Sequence, residues 1–360
     1  MENSSDSSPS VENVVAPLNG GVSRRSFVRR AAIGASMLPL AGLFGSGSST
    51  FGQGGGGVTA GDIAILKFLA AAELVEADLW GQYCELAVNN PGYRRELTKI
   101  DEAIVAYICD DFQNEQSHAD FINGYLVSIG QQPVNLDAFR TLPSSRARGA
   151  RQIGRLTSLA ALTVDTSWYN RYRQQGNPDF GDTFPQIATI VNQPTIPLGD
   201  DNDRRGDDDE QLRVTAASAA FHFCAIEQGG SSLYSSLLTK VSSLDVLAIV
   251  GSIGPVEFYQ FGTFQTSLEG IRGARNRNTN IPDLARNTDV ARATLPEPCK
   301  FFATGLPLCS VLRPRSTARA GAVAAATGLV NSGLFTGQSS AFLGAVVQLA
   351  QAADAATRTC

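Results

Sequence analysis

The chain has 360 residues, 43% of them hydrophobic and 18% charged, the composition of a folded globular protein and not of a disordered one. A net charge of -5 with a pI near 5.2 argues against nucleic-acid binding through a basic surface, and the 35 glycines follow no G-X-Y period, which excludes collagen. Uninterrupted apolar runs fall short of the roughly 18 residues that a membrane span requires.

The first 57 residues are expected to be an export segment. A polar stretch leads to Ser23-Arg24-Arg25-Ser26-Phe27-Val28, then Arg29 and Arg30, an apolar run from Ala31 to Phe44 and a Gly/Ser-rich tract. Basic residues, a short apolar run and a small-residue exit make a signal peptide. The Arg-Arg pair with Phe27 behind it resembles the twin-arginine signal, whose route carries folded proteins. This places the mature chain in the periplasm or outside the cell, starting between Ser46 and Gly61. No cysteine follows the apolar run, so no lipoprotein anchor is indicated.

Four long segments carry a helical apolar period, at residues 61–88, 95–129, 210–241 and 244–269. Asp62 is the expected cap of the first, and Asn90-Pro91-Gly92 ends it. Short links join the first to the second and the third to the fourth, so each pair is expected to be an antiparallel hairpin. A long crossover, 131–209, separates the pairs. Its residues 146–173 are expected to be helical. Its second half, with Pro178, Pro185, Pro194 and Pro197, is expected to be irregular. Residues 273–360 read as a C-terminal extension, loop-like to Pro314 and helical from Thr317 onward.

The six cysteines (Cys84, Cys109, Cys224, Cys299, Cys309 and Cys360) form no C-x-x-C pair, which removes the usual support for zinc-ribbon or thioredoxin-like sites. In an exported protein some can be disulfides. Cys299 and Cys309 are the best local pair, while Cys84 and Cys224 read as buried small hydrophobes.

Placed at about 100° per residue, each long segment aims one carboxylate into its apolar stripe. Glu73 falls among Leu66, Leu69, Ala70, Ala77 and Trp80, with Lys67, Asp78, Gln82 and Glu85 on the opposite side. Glu76, about 60° from Glu73, competes for the same role. Glu115 lies among Ile108, Phe112, Ala119 and Ile122, with His118 one turn later. Glu227 is centred on Ala220, Phe223 and Tyr234, and Glu257 on Val250, Ile253, Phe261 and Phe264. An unpaired buried carboxylate costs several kcal/mol, so convergence of four calls for a cation. Carboxylates with an imidazole suit iron, manganese or zinc.

One Glu on each of two helices, with Glu-x-x-His on the others, resembles the site of ferritin-like di-metal carboxylate proteins. The likeness covers residues 61–270. It extends to the exported subgroup that includes plant desiccation-related and fungal stress-associated relatives. The resemblance implies an all-α fold, a four-helix bundle spanning 58–272 with its crossover, and a di-iron or di-manganese pair held by Glu73, Glu115, His118, Glu227, Glu257 and Gln260. Glu115 and Glu257 would bridge or flank the metals, with Glu73, Glu227 and His118 as terminal ligands. The chain departs from the pattern at Gln260, which stands where the second histidine belongs. A glutamine is a neutral, weaker ligand, so an asymmetric pair is expected, or a single metal near Glu73, Glu115 and His118.

Other features carry less. His222 lies about 140° from Glu227 and reads as a core histidine. The acidic run from Asp200 to Glu210 resembles a calcium loop, but Arg205 and Leu212 break its pattern. Trp168 and Tyr169 read as aromatics covering the helices. The expected function is oxygen, peroxide or iron handling outside the cytoplasm, with metal ions as partners and a homo-oligomer as an open possibility. The alternative is a non-enzymatic stress-associated envelope scaffold with a degenerate site. The bulky crossover and tail argue against a ferritin-type shell.

Overall fold

The computed structural model describes residues 57–171, 185–199, 210–285 and 321–359. The expected export signal, the acidic run before Glu210, Pro178, Cys299, Cys309, Cys360 and the segment around Pro314 lie outside these residues. The described part is mostly helical. Helix α1 (Ala60–Asn89) begins at Thr59, whose side chain accepts from Asp62 N while Asp62 accepts from Thr59 N, at 3.1 and 2.9 Å. This reciprocal cap puts Asp62 at the third helical position, not at the cap expected for it. Its Oδ1 is thereby free to accept from Ser242 N at 2.8 Å. Asn90 then caps α2 (Pro91–Thr98) by accepting from Tyr93 N, with Pro91 at the position where no N–H is needed.

The second expected helix is divided in two. Asp101 accepts from Ala103 N at 2.8 Å, a local turn that interrupts the chain between α2 and α3 (Ile104–Ser128). Helix α4 (Trp168–Arg171) lies in the crossover, followed by the two-residue strand β1 (Thr189–Ile190). The two remaining long helices are α5 (Glu210–Leu238) and α6 (Leu244–Ser267). Pro255 sits inside α6 without ending it.

Side-chain partners fix the directions of the long helices. Cys84 pairs with Cys109 and Glu73 with His118, so α1 and α3 are antiparallel. Asp62 meets Ser242 and Tyr83 meets His222, so α1 and α5 are antiparallel too. Glu115 meets Gln260 and Asp101 meets Ser267, which sets α3 against α6. In chain order the helices run up, down, down and up, and the crossover returns the chain to the end from which α3 started. Two apolar layers result. Trp80, Tyr83, Phe223 and Phe264 pack in one, and Leu66, Leu69, Ile122, Leu237 and Val250 in the other. The acidic positions of all four helices fall between these layers. Each fully buried large side chain contributes about 1.5–3 kcal/mol.

The crossover departs most from expectation. Of the expected helix at 146–173, the described residues 146–171 are helical only at α4; the others among them are extended or turning, with bridges at Leu142–Arg155 and Leu162–Gln193. The crossover's backbone is satisfied partly by these bridges and by the C-terminal region, as where Ser158 N donates to Leu334 O, and partly by α1. Asp78 Oδ2 accepts from Leu156 N and Thr157 N, both at 2.9 Å, and from Thr157 Oγ1 at 2.7 Å, while Oδ1 accepts from Arg140 Nη1 at 2.6 Å. Gln82 donates to Thr157 Oγ1, and Arg155 pairs with Glu85. The side of α1 expected to face away from the core is therefore covered.

Cys84 is not a free buried residue but is disulfide-bonded to Cys109 across α1 and α3, whose register brings their Cα atoms to 4.9 Å. Cys224 is buried and free, as expected. After α6, strands β2 (Ala274–Arg275) and β3 (Thr279–Ile281) form a hairpin that pairs with β1 in the antiparallel order β1-β3-β2, with Thr189 opposite Asn280. Helices α7 (Ala322–Ser332) and α8 (Ser340–Asp354) follow. Asp354 accepts from Ala322 N and Val323 N, capping α7 with the end of α8, and α8 packs on α1. Among the described residues one helix, α6 with the turn after it, is long and apolar enough to cross a membrane. Its Val246, Val250, Phe261 and Phe264 are buried in the helical core, which accounts for its composition without a bilayer.

Replacing Asp78 by alanine removes four acceptor contacts from the crossover and strands buried donors. It is expected to cost about 3 kcal/mol in urea unfolding and to open residues 140–199 to limited proteolysis of the folded protein.

Candidate metal centre

Each long helix brings its acid to the same depth. His118 and Glu115 lie one turn apart on α3, so both face α1, and His118 Nδ1 is 3.1 Å from Glu115 Oε2 and 3.2 Å from Glu73 Oε2. Glu257 Oε1 is 3.8 Å from the same nitrogen. Glu73, Glu115, His118 and Glu257 are all buried, with ligand atoms within 4.8 Å of one another. A second group under the same limit consists of Glu76, Glu115 and Glu227. Glu115 belongs to both.

Around these groups the helices come close. Gly230 on α5 lies against Glu257, and a Cβ there would clash with Glu257 Oε2, well inside van der Waals contact distance. At Gly254 a Cβ would approach Tyr234 Cβ to 2.8 Å. These two glycines let α5 and α6 approach enough for Glu227 and Glu257 to share one interior. Tyr234 donates its hydroxyl to Glu73 Oε1. Gln260 donates from Nε2 to Glu115 Oε1 at 3.0 Å, leaving its own Oε1 buried without a partner.

The electrostatics are those of an acid cluster short of positive charge. Burial, with the negative charge of neighbouring carboxylates added, raises the pKa of Glu76, Glu115, Glu227 and Glu257 well above the carboxylate range. Asp111, one turn before Glu115, is raised to about 7, chiefly by burial. Burial opposes a charge on His118, but hydrogen bonds and the negative charge of Glu115 and Glu73 outweigh it and push its pKa up to about 10. Both oxygens of Glu227 and both of Glu257 have no hydrogen-bond partner. Buried polar atoms are ordinarily satisfied, and four orphaned carboxylate oxygens beside an imidazole fit a cation of charge two or more. Hard oxygen donors with one nitrogen match iron, manganese or zinc. The Glu73, Glu115, His118 and Glu257 cluster could hold a metal ion.

The structure thus brings Glu73, Glu115, His118 and Glu257 together, places Glu227 beside Glu115, and sets Gln260 on Glu115 as a hydrogen-bond donor. Sequence reasoning treated Glu76 only as a rival of Glu73; both face inward, one toward each group. It passed over Asp111, although spacing of four before Glu115 puts it on the same helical face. His222 lies apart, its Nδ1 2.8 Å from the Tyr83 hydroxyl and its pKa pushed down to about 3 by burial. Trp168 covers α5 and α6 by packing on Phe221 and Phe261.

Comparison with protein-family models, curated proteins and solved structures finds no match for this chain.

The raised carboxylates set a direction for pH dependence in the metal-free protein. An acid with a higher pKa when folded supports the fold below its unfolded pKa and loses that support as pH rises through its folded value. Metal-free protein is therefore expected to lose stability from pH 5 to pH 8. Glu257→Gln, which cannot ionise, is expected to be more stable than the parent at pH 8 by on the order of 1–3 kcal/mol, with a smaller gap at pH 5. Thermal unfolding after chelator dialysis measures both.

Proposed function

We propose that the chain is an exported ferritin-like protein whose four long helices hold a pair of iron or manganese ions and that it handles oxygen, peroxide or iron outside the cytoplasm. One observation carries the reading: two groups of potential ligands share Glu115, one of them with an imidazole. A carboxylate common to two groups has an oxygen for each of two neighbouring ions. The up-down-down-up order of the helices around a long crossover supports the ferritin-like assignment. In this reading Glu73, His118 and Glu257 serve one position and Glu76 and Glu227 the other, with Glu115 between them.

Bound iron or manganese would supply redox chemistry toward oxygen or peroxide. The protein's own groups would orient and insulate. Tyr234 holds Glu73 by its hydroxyl, Gln260 holds Glu115, and the apolar layers above and below keep bulk water from the acids. Entry of cations must displace protons from the raised carboxylates and from His118, so loading releases acid.

A second reading, an envelope scaffold with a degenerate site, draws on one feature. The Glu76, Glu115 and Glu227 group contains no histidine, and Gln260 presents its amide nitrogen to Glu115.

Elemental analysis of protein purified through its native export route separates these. About two iron or manganese ions per chain, lost in Glu115→Ala/His118→Ala, support the pair, and one ion supports an asymmetric site. Folded protein with no metal favours the scaffold. For the metal-loaded protein, a ligand-to-metal absorption band on adding oxygen to the ferrous form is expected if the centre is redox active.

A further inference from the structure

A cavity of about 190 Å³ lies where α1 and α5 meet the crossover and the C-terminal helices. Its wall is mostly apolar, with Phe68, Val75, Ile226, Leu233, Leu329 and Leu349 contributing. It persists because the helices facing it carry small residues there: Ala71 and Ala72 on α1, Gly229 and Gly230 on α5, Ala326 and Gly328 on α7. The space is partly open to solvent at α7, where Gly328 is exposed, and several positions together keep it clear. Its apolar wall offers water few hydrogen-bond partners, and an enclosed apolar cavity of about 150 Å³ takes up benzene, so a space of this size and lining can hold a small apolar group.

The cavity is also adjacent to the carboxylate centre. Glu76 belongs to both: it lines the cavity, retains accessible surface, and stands in the group with Glu115 and Glu227. Gly230 lines the cavity on one side and lies against Glu257 on the other. Three lining residues carry a buried polar atom with no partner: Glu76 Oε2, His222 Nε2 and the indole donor Trp168 Nε1. The tautomer of His222 follows from its network. Tyr83 donates to Thr195 Oγ1 at 2.7 Å and Thr195 donates to Leu159 O at 3.4 Å, so the imidazole donates from Nδ1 to Tyr83 and keeps Nε2 as an acceptor. The unpartnered polar atoms of this wall are thus an acceptor on His222, a carboxyl oxygen on Glu76 and the N–H donor of Trp168, a set that a hydroxyl, both donor and acceptor, can meet, while the remaining lining offers hydrocarbon contact.

We propose that this cavity binds a small hydrocarbon or aryl molecule of about six to ten carbons bearing a hydroxyl, with the hydroxyl toward Glu76. Resting on the di-metal reading, this makes the cavity the substrate pocket of the centre, and the C-terminal helices its outer wall. The binding step itself requires no metal.

The test is calorimetric titration of the full-length exported protein, after chelator dialysis, with benzyl alcohol, 1-octanol and toluene. Saturable binding of both alcohols at one site per chain is expected, with benzyl alcohol roughly tenfold tighter than toluene through its hydrogen bond. Ala326→Leu and Leu349→Phe, which fill the cavity from α7 and α8, are expected to weaken binding at least about tenfold, with thermal midpoints unchanged or raised. Two variants guard against one that fails to fold. Absence of saturable binding to the parent protein, or binding that both folded variants leave intact, overturns the proposal. Toluene binding as well as benzyl alcohol overturns the hydroxyl orientation and with it the place of Glu76. Metal content, measured separately, reports on the di-metal reading, so either can fail while the other stands.

Discussion

Four buried carboxylates and a fifth, partly accessible one, gathered into two groups that share Glu115, are the constraint around which the rest of this molecule is organised. Glu73, Glu115, Glu227, Glu257 and the partly accessible Glu76 face one another, and His118 is the only imidazole among them. Like charges in a low-dielectric interior cannot all ionise at modest cost. Without a cation the cluster holds its protons, which is the meaning of the raised pKa values. Such a centre persists only if the surrounding scaffold tolerates it, and the apolar layers on both sides supply that tolerance. The same layers restrict what can neutralise the charge to something small and cationic.

The scaffold then has to hold four helices in register at one depth. The Cys84–Cys109 disulfide fixes α1 against α3 near one end, and Asp62 ties the start of α1 to the α5–α6 turn at the other. Between these ends Asp78, Gln82 and Glu85 fasten the crossover along α1. Polar interactions off the core thus hold the helix that contributes both Glu73 and Glu76. Gly230 and Gly254 play the complementary part, removing side chains where α5 and α6 must nearly touch.

Local periodicity carried the long helices and the inward acids into view because both are properties of a single segment. What it could not supply are the features that depend on two segments at once. The pairing of Cys84 with Cys109 needs the register of α1 against α3. Residues 146–173 look helical in isolation, but Leu156 and Thr157 give their N–H groups to Asp78, which sequence places on a helix face with no visible partner. Glu76 reads in sequence only as a rival of Glu73, for a similar reason. At about 60° from Glu73 it looks like an alternative, and only the position of Glu227 across the interior makes it a second participant.

The two histidines show how far environment outweighs residue type. His118 and His222 both lie on core faces of long helices and both are buried. His118 sits between carboxylates that favour its charged form, and it is held protonated until something replaces the proton. His222 faces a tyrosine hydroxyl and apolar side chains, and burial alone keeps it neutral to about pH 3. One imidazole therefore belongs to an electrostatic centre and the other to a hydrogen-bonded network beside an apolar cavity. Glu76 stands between these two environments: it shares the centre with Glu115 and lines the cavity with His222. A group shared in this way lets an apolar molecule reach the edge of a charged site without admitting the water that would otherwise solvate it.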